Sequence, residues 1–297
     1  AEYPQRNIRM IIPFAPGGGS DVLGRVLAEK MSGELGVSII VENKPGASSI
    51  IGTEAVARAA PDGYTILLTN SAITSNPTFF KLPFDTQSLS AVTKVANAPQ
   101  LLVANPGAPF KNLKELLAYA KANPGKLNYA TSGNGSVPHI GVELFKQQNQ
   151  LNITHVPYRG AGPAMLDVIA GNVQMTVATP PSLMQFVQQG KMKALAVAAK
   201  KRIPQMPDVP TSAEAGFPGF ELEAWIGLLA PAGTPPAIIA ALNDAARTTL
   251  NNPQVKQSLE KSGVELRYMN PTQFDATIRK DIQYWSKVIK TANITVD

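Results

Sequence analysis

The chain has 297 residues, 44% of them hydrophobic and 16% charged, with 23 glycines and 25 prolines; this excludes a short peptide module or a generally disordered chain and fits about two domains. Its 27 Lys and Arg against 21 Asp and Glu leave a formal charge of +6 with no basic block, a balance that suits a small anionic partner better than a nucleic-acid backbone. Cysteine is absent, which removes disulfides, thiolate nucleophiles and cysteine-based metal sites together and leaves the compartment open.

In chain order, Ile8 to Pro13 reads as a strand entering the glycine-rich turn Phe14-Ala-Pro-Gly-Gly-Gly-Ser-Asp21. Val22, Leu23, Val26, Leu27, Met31 and Leu35 then recur at helical spacing, with Ser20 or Asp21 suited to cap the start and Gly36 the end. Val37 to Val41 is a second strand, Ser49 to Ala59 a second helix, and Tyr64 to Thr69 a third strand after the break at Pro61-Asp-Gly63. The same β-α-β-α-β order returns between Leu127 and Thr179. It runs from the strand Leu127 to Thr131 through Ser132-Gly-Asn-Gly-Ser136, a helix from about His139 to Gln148, the strand Ile153 to Pro157, the turn Arg159-Gly-Ala-Gly162, a helix Pro163 to Ala170 and the strand Val173 to Ala178. Each unit is expected to form a mostly parallel sheet with helices on both faces, because parallel strands need crossovers and are covered on both sides. Phe110 to Lys121 reads as an amphipathic helix between the units, and further helices are expected from Pro235 and near Pro253 and Pro271. The strand Leu101 to Ala104 and the run Ala224 to Pro231 are the candidate hinges. Two crossings put residues 1–102 and 226–297 in the first lobe and 103–225 in the second. The architecture is α/β, two doubly wound lobes joined by a two-strand hinge with a cleft between them.

In such sheets ligands bind beyond the carboxyl ends of the strands, where the turns after Pro13 and Thr131 lie. Glycine turns are also ordinary α/β punctuation, but here two matched turns fall in corresponding places. Neither is a nucleotide motif. Ser20 and Asp21 stand where a P-loop has lysine and hydroxyl, and Val22 and Pro138 stand where dinucleotide fingerprints starting at Gly17 and Gly133 require glycine. What survives is an anion site made of convergent backbone N–H groups at a helix start. His139 and His155 are the only histidines, and neither belongs to an HxxxH or HExxH pattern, so no metal and no cofactor is expected. No Gly-x-Ser-x-Gly elbow surrounds Ser20, Ser48, Ser132 or Ser136. His139, where a helix begins, could donate to a ligand or to backbone, whereas His155 reads as structural. Tyr158 and Arg159 offer a hydroxyl and a bidentate cation, with the neighbouring backbone N–H groups favoured over the Arg159 side chain as ligand contacts. Asp21 is expected to fix its loop, and less readily to meet an amino group or water. No run reaches roughly 18 consecutive apolar residues, and no charged-then-apolar leader precedes Ala1, so an exported form is expected to be the mature one.

Pro13-Phe-Ala-Pro-Gly-Gly-Gly-Ser-Asp21, Val41-Glu-Asn-Lys-Pro-Gly-Ala47, Ala60-Pro-Asp-Gly-Tyr64, Ala130-Thr-Ser-Gly-Asn-Gly-Ser136 with His139, and His155-Val-Pro-Tyr-Arg-Gly-Ala-Gly-Pro163 stand in order. So do Pro207 to Thr211, Glu214-Ala-Gly216 and Ala230 to Pro235. In these motifs, over essentially its whole length, the chain resembles the solute-binding receptors of tripartite tricarboxylate transporters, the Bug type. The resemblance implies a type II-like periplasmic binding protein with no catalytic activity, whose lobes close on an organic acid and hand it to integral membrane transporter subunits. A monomer in the periplasm is expected, with no nucleic acid bound. It implies that a carboxylate is held, largely through backbone and water, by Phe14, Ala15, Gly17, Gly18, Gly19 and Asp21 on one side and Tyr158, Arg159, Gly160 and Ala161 on the other. Thr131, Ser132, Gly133, Asn134, Ser136 and His139 would meet the rest of the ligand, with Ser71 and Thr179 at strand ends as further candidates. Relatives often carry a glycine after the alanine where this chain has Ser48, which leaves Ser48 as a spacer or a contact.

The competing class is an α/β enzyme acting on a carboxylate at the same cleft, with His139 as general base and Arg159 as anchor; no paired acid–base constellation supports it. A DNA-binding regulator would need an added helix-turn-helix, and the sequence offers none. The identity of the acid stays open among dicarboxylates, citrate, acidic amino acids and aromatic carboxylates.

Overall fold

A computed structural model describes residues 2–296. The first unit runs β1 (Ile8–Ile12), α1 (Gly19–Leu35), β2 (Ile39–Asn43), α2 (Ile50–Ala57), β3 (Thr65–Asn70) and α3 (Ala72–Phe79). Strand β4 (Leu89–Pro99) then leads to β5 (Leu101–Ala104), which opens the second unit. There α4 (Leu113–Ala122), β6 (Leu127–Thr131), α5 (Val137–Asn149), β7 (Ile153–Pro157), α6 (Ala161–Ala170), β8 (Met175–Ala178), α7 (Pro180–Gln188) and β9 (Lys193–Val197) follow. The chain returns through β10 (Glu223–Pro231) and ends with α8 (Pro236–Asn251), α9 (Pro253–Lys261), β11 (Glu265–Met269) and α10 (Pro271–Ala292). No helix among the described residues is long and apolar enough to cross a membrane.

Two sheets result, ordered β11-β4-β10-β3-β1-β2 and β7-β6-β8-β5-β9. Within each β-α-β-α-β unit the strands are parallel, β1 with β2 and β3, and β6 with β7 and β8. The remaining pairings are antiparallel. Both sheets are therefore mixed rather than mostly parallel, because β4, β5, β10 and the edge strands β9 and β11 complete units that would otherwise end at a bare strand edge. Burial on both faces explains the near-continuous apolar runs. Ile8, Met10 and Ile12 of β1 face α1 through Leu23, Leu27 and Met31, while Ile11 faces the other way toward Val56, Trp225 and Phe274. In the second sheet Leu102 and Ala104 of β5 join Tyr129 and Phe145, and Leu101 and Val103 join Ala164, Met165 and Val168. Each fully buried Leu or Ile of this kind contributes roughly 1.5–3 kcal/mol.

The crossings differ from the expected boundaries by a few residues. All of β5 lies in the second sheet and all of β10 in the first, so Leu101 and Leu102 belong with the second sheet and Glu223 to Trp225 with the first. Leu101 to Ala104 thus pairs within the second sheet, directly after the crossing. The turning point between the sheets is Gln100, whose carbonyl accepts from Ala198 N at 2.8 Å; the carbonyl of Ala198 in turn accepts from Leu222 N at 2.8 Å, next to the return crossing.

Candidate functional site at the junction of the sheets

Two glycine turns, one from each unit, meet face to face. The first lies between β1 and α1, where Gly17 takes φ 98°, a conformation that favours glycine, and Gly18 caps α1 in extended geometry. Asp21, 5% exposed, fixes this turn: one carboxylate oxygen accepts from Gly17 N at 3.0 Å, and the other from Arg25 Nε at 3.1 Å and Asn43 Nδ2 at 2.9 Å. Asn43 Nδ2 also donates to the Phe14 carbonyl at 2.9 Å. The second turn lies between β7 and α6, where Gly160 has φ 148°. Across the cleft, Ala15 N donates to the Arg159 carbonyl at 2.9 Å. The fit is close: a Cβ on Gly162 would collide with the Pro16 carbonyl, and one on Gly19 would collide with Thr179. A second bridge, from Ser75 Oγ of α3 to the Gly135 carbonyl at 2.6 Å, closes the neighbouring part of the seam. The lobes are shut upon each other.

Under this seam is a small cavity of about 50 Å³. Its wall collects residues at the starts of five helices: Gly18, Gly19 and Ser20 of α1, Ser71 before α3, Ser136, Val137 and Pro138 at α5, Ala161 of α6 and Thr179 before α7. A helix start carries about half a positive charge and up to four amides without an intrahelical acceptor. Local hydrogen bonds and prolines remove some of these donors. Asn70 Oδ1 accepts from Ala72 N at the start of α3, Ser136 Oγ accepts from His139 N in α5, and Pro180 and Pro181 of α7 carry no N–H. The amides of Gly18, Gly19 and Ser20 in one lobe and Ala161 in the other keep their donors unused among the described residues. Among the described residues no Lys, Arg or His lines the cavity. The donors it offers an anion are backbone amides, and the Asp21 carboxylate on its wall is engaged by Gly17 N, Arg25 and Asn43.

Of the residues singled out from sequence, Phe14, Gly18, Gly19, Asp21, Ser71, Ser132, Ser136, Ala161 and Thr179 line this cavity. Others sit elsewhere, each for a physical reason. Ala15, Gly17 and Gly160 form the seam, with the Ala15 amide spent on Arg159 and that of Gly17 on Asp21. Thr131 is buried beneath the turn, 2.6 Å from His155 Nε2, and Gly133 packs on Ser48 and the Tyr158 carbonyl. Asn134 and His139 line a separate cavity of about 360 Å³ beside Glu143 and Lys146. His139, 3% exposed, accepts from Gly135 N through Nδ1 at 2.9 Å and stacks on His155 with ring centres 4.0 Å apart. Burial, with the charges of His139 and Lys146, pushes the His155 imidazole down to about 3. Tyr158 turns its hydroxyl to Asp167 of α6; burial and this hydrogen bond push it up to about 12. The Arg159 side chain is exposed and does not line the cavity. Ser48 is a spacer with φ 56°, and its carbonyl accepts from Asn76 Nδ2 at 2.9 Å. That left-handed geometry is one where glycine is at ease.

Sequence reasoning missed Ser20, Asn70, Gln100 and the apolar lining from Ala98, Val177, Ala178, Ala224 and Ile226. The signal available was the strand alternation in Ala224-Trp-Ile226, which places one face of β10 against the cleft. Among the described residues no group of three His, Asp or Glu side chains is arranged to hold a metal.

Fold and cleft together define a two-lobed solute-binding protein. The sequence model of the tripartite tricarboxylate transporter family receptors matches residues 23–294, and the chain belongs to this family. It is 36% identical over 295 residues to the protein BugT of Bordetella pertussis, covering 97% of this chain and 90% of that protein. Among solved structures it is similar to the periplasmic binding protein BugD, with a TM-score of 0.95, 34% identity and 99% of each chain covered. It is also similar to Rpa4515 of R. palustris with adipate, TM-score 0.95, 32% identity and 99% of each chain covered. A third is MatC of Rhodopseudomonas palustris with bound malate, TM-score 0.89, 33% identity, covering 97% of this chain and all of that one (100%).

Proposed function

We propose that this protein captures a small organic carboxylate between its lobes in the periplasm, as a monomer, and presents the closed complex to the membrane subunits of a tripartite transporter. The observation that carries this reading is the cation-free cavity in which amides from the α1 start in one lobe and the α6 start in the other remain unspent. A carboxylate supplies acceptors to both sets only when the lobes meet, so the ligand stabilises the closed form and no bond in it need be broken. The adipate and malate held by two relatives are of this chemical class. The enzyme reading draws less support: His139 faces a different cavity with Nδ1 engaged by backbone, and the Arg159 guanidinium lies outside the cleft.

Calorimetric titration of the wild type and Arg159→Ala with malate and adipate tests it. At least one acid is expected to bind in both proteins with affinities within about fivefold, since an exposed cation contributes less than about 1 kcal/mol. Turnover of either acid, or loss of binding on removing the Arg159 side chain, would overturn this account.

A further inference from the structure

The amides at the helix starts account for one end of an acid and leave the most buried unengaged polar side chain of the cavity without a role. Gln100 is 4% exposed, lines the cavity, and its Oε1 is buried without a hydrogen-bond partner. No group among the described residues bonds its side-chain amide, whereas Asp21, Asn70, Ser71 and Ser136 on the same wall are engaged. Asp21 accepts three hydrogen bonds, Asn70 donates to Ser20 Oγ and accepts from Ala72 N, and Ser71 Oγ accepts from Trp225 N at 2.7 Å. Ser136 Oγ donates to the Gly133 carbonyl at 2.7 Å. Around Gln100 the hinge side of the cavity is apolar, formed by Ala98, Ala224 and Ile226 with Val177 and Ala178. A polar ligand group reaching this side therefore has Gln100 to meet.

We propose that Gln100 is a ligand-contacting, specificity-determining residue that reads a second polar group on the bound acid, selecting dicarboxylates and hydroxy acids over simple alkanoates. The inference rests on the carboxylate-binding reading above. A glutamine amide carries two donors and an acceptor and presents either by a half-turn, so it serves a second carboxylate or a hydroxyl without a buried cation. Left unmet, a buried amide costs its full desolvation, and an acid that satisfies it recovers that cost. The backbone of Gln100 is held by the bond from Ala198 N at the point where the chain passes between the sheets, so the amide meets the ligand in the arrangement of lobes seen here.

The test is calorimetry with succinate, malate and butyrate on the wild type, Gln100→Leu and Gln100→Met, with thermal unfolding as the check that each variant folds. Gln100→Leu, and Gln100→Met should the first fold poorly, is expected to weaken succinate or malate at least tenfold and to leave butyrate within twofold of wild type. Equal weakening of all three acids, or none, would overturn the role of Gln100 while leaving the carboxylate reading intact. Absence of wild-type binding to succinate and malate, with adipate still bound, would overturn the role of Gln100 alone; absence of binding to all of these acids would remove both.

Discussion

Gly18 and Gly19 stand side by side in the first turn and tolerate very different changes. A Cβ on Gly18 meets Ala161 at 3.4 Å, an ordinary contact, whereas one on Gly19 runs into the Thr179 side chain across the cleft. Gly19→Ala is therefore expected to prop the lobes apart and weaken acid binding by about 1–3 kcal/mol, roughly fivefold to 150-fold, with Gly18→Ala within a few-fold of wild type. Titration of both variants checks this; equal affinity for Gly19→Ala would show that the seam does not form around the ligand. The sequence made the first turn legible because three glycines in series, Gly17 to Gly19, precede an apolar-periodic helix. It did not reveal where Tyr158, Arg159 and His139 point. Tyr158 is claimed by Asp167 nine positions on and His139 by Gly135 and His155, choices made by packing between elements that no local pattern contains. Gln100 stayed invisible because the crossing was expected two residues later, which hid its place at the turning point between the sheets.

Between elements, the packing of β6, β7 and α5 carries a pH dependence. His155 on β7 is held between Tyr129 of β6 and His139 of α5, with Nε2 against the Thr131 hydroxyl, and its imidazole is pushed down to about 3 chiefly by burial. Unfolded, the ring titrates near 6.5. Between these two values the unfolded chain binds more protons than the native one, so stability falls as pH drops from about 6.5 toward 3 and does not change through this group above that window. Unfolding midpoints from pH 7.5 to 4.5 are expected to fall less steeply in His155→Gln than in the wild type; parallel slopes would contradict this. At this scale both β-α-β-α-β units were readable from periodicity and punctuation. Elements α3, β4, α7, β9 and β11 were not. Helix α3 contains Pro77 among serine, threonine and asparagine, and β4 is rich in alanine, so their local signals are weak and their neighbours decide them. Strand β11 is a short, largely exposed edge strand.

For the molecule as a whole, alternation along β4 and β10 beside the crossings sorts side chains onto two faces. Ala98, Gln100, Ala224 and Ile226 face the small cavity, and Asn97, Glu223 and Trp225 face another of about 570 Å³. That second space lies between α10, through Thr277, Asp281 and Trp285, and the segment Pro218, Gly219 and Glu221 from the other side of the hinge. Because the two spaces lie on opposite faces of the same strands, a rotation about them that opens the ligand face is expected to narrow this one. Thr277→Trp, which fills it, is expected to favour closure; a bias of about 1 kcal/mol tightens apparent affinity about fivefold. Calorimetry together with a fluorescence distance between the lobes checks it, and weaker binding with a more open protein would contradict the lever.

The central claim is that unspent amides from both lobes hold the acid. The most direct measurement is the change in backbone amide NMR shifts of ¹⁵N-labelled protein on adding malate or adipate. The account predicts the largest changes at Gly18, Gly19, Ser20 and Ala161, in both lobes together and saturating with one affinity. Changes confined to one lobe, or centred on the cavity around His139 and Asn134, would contradict it.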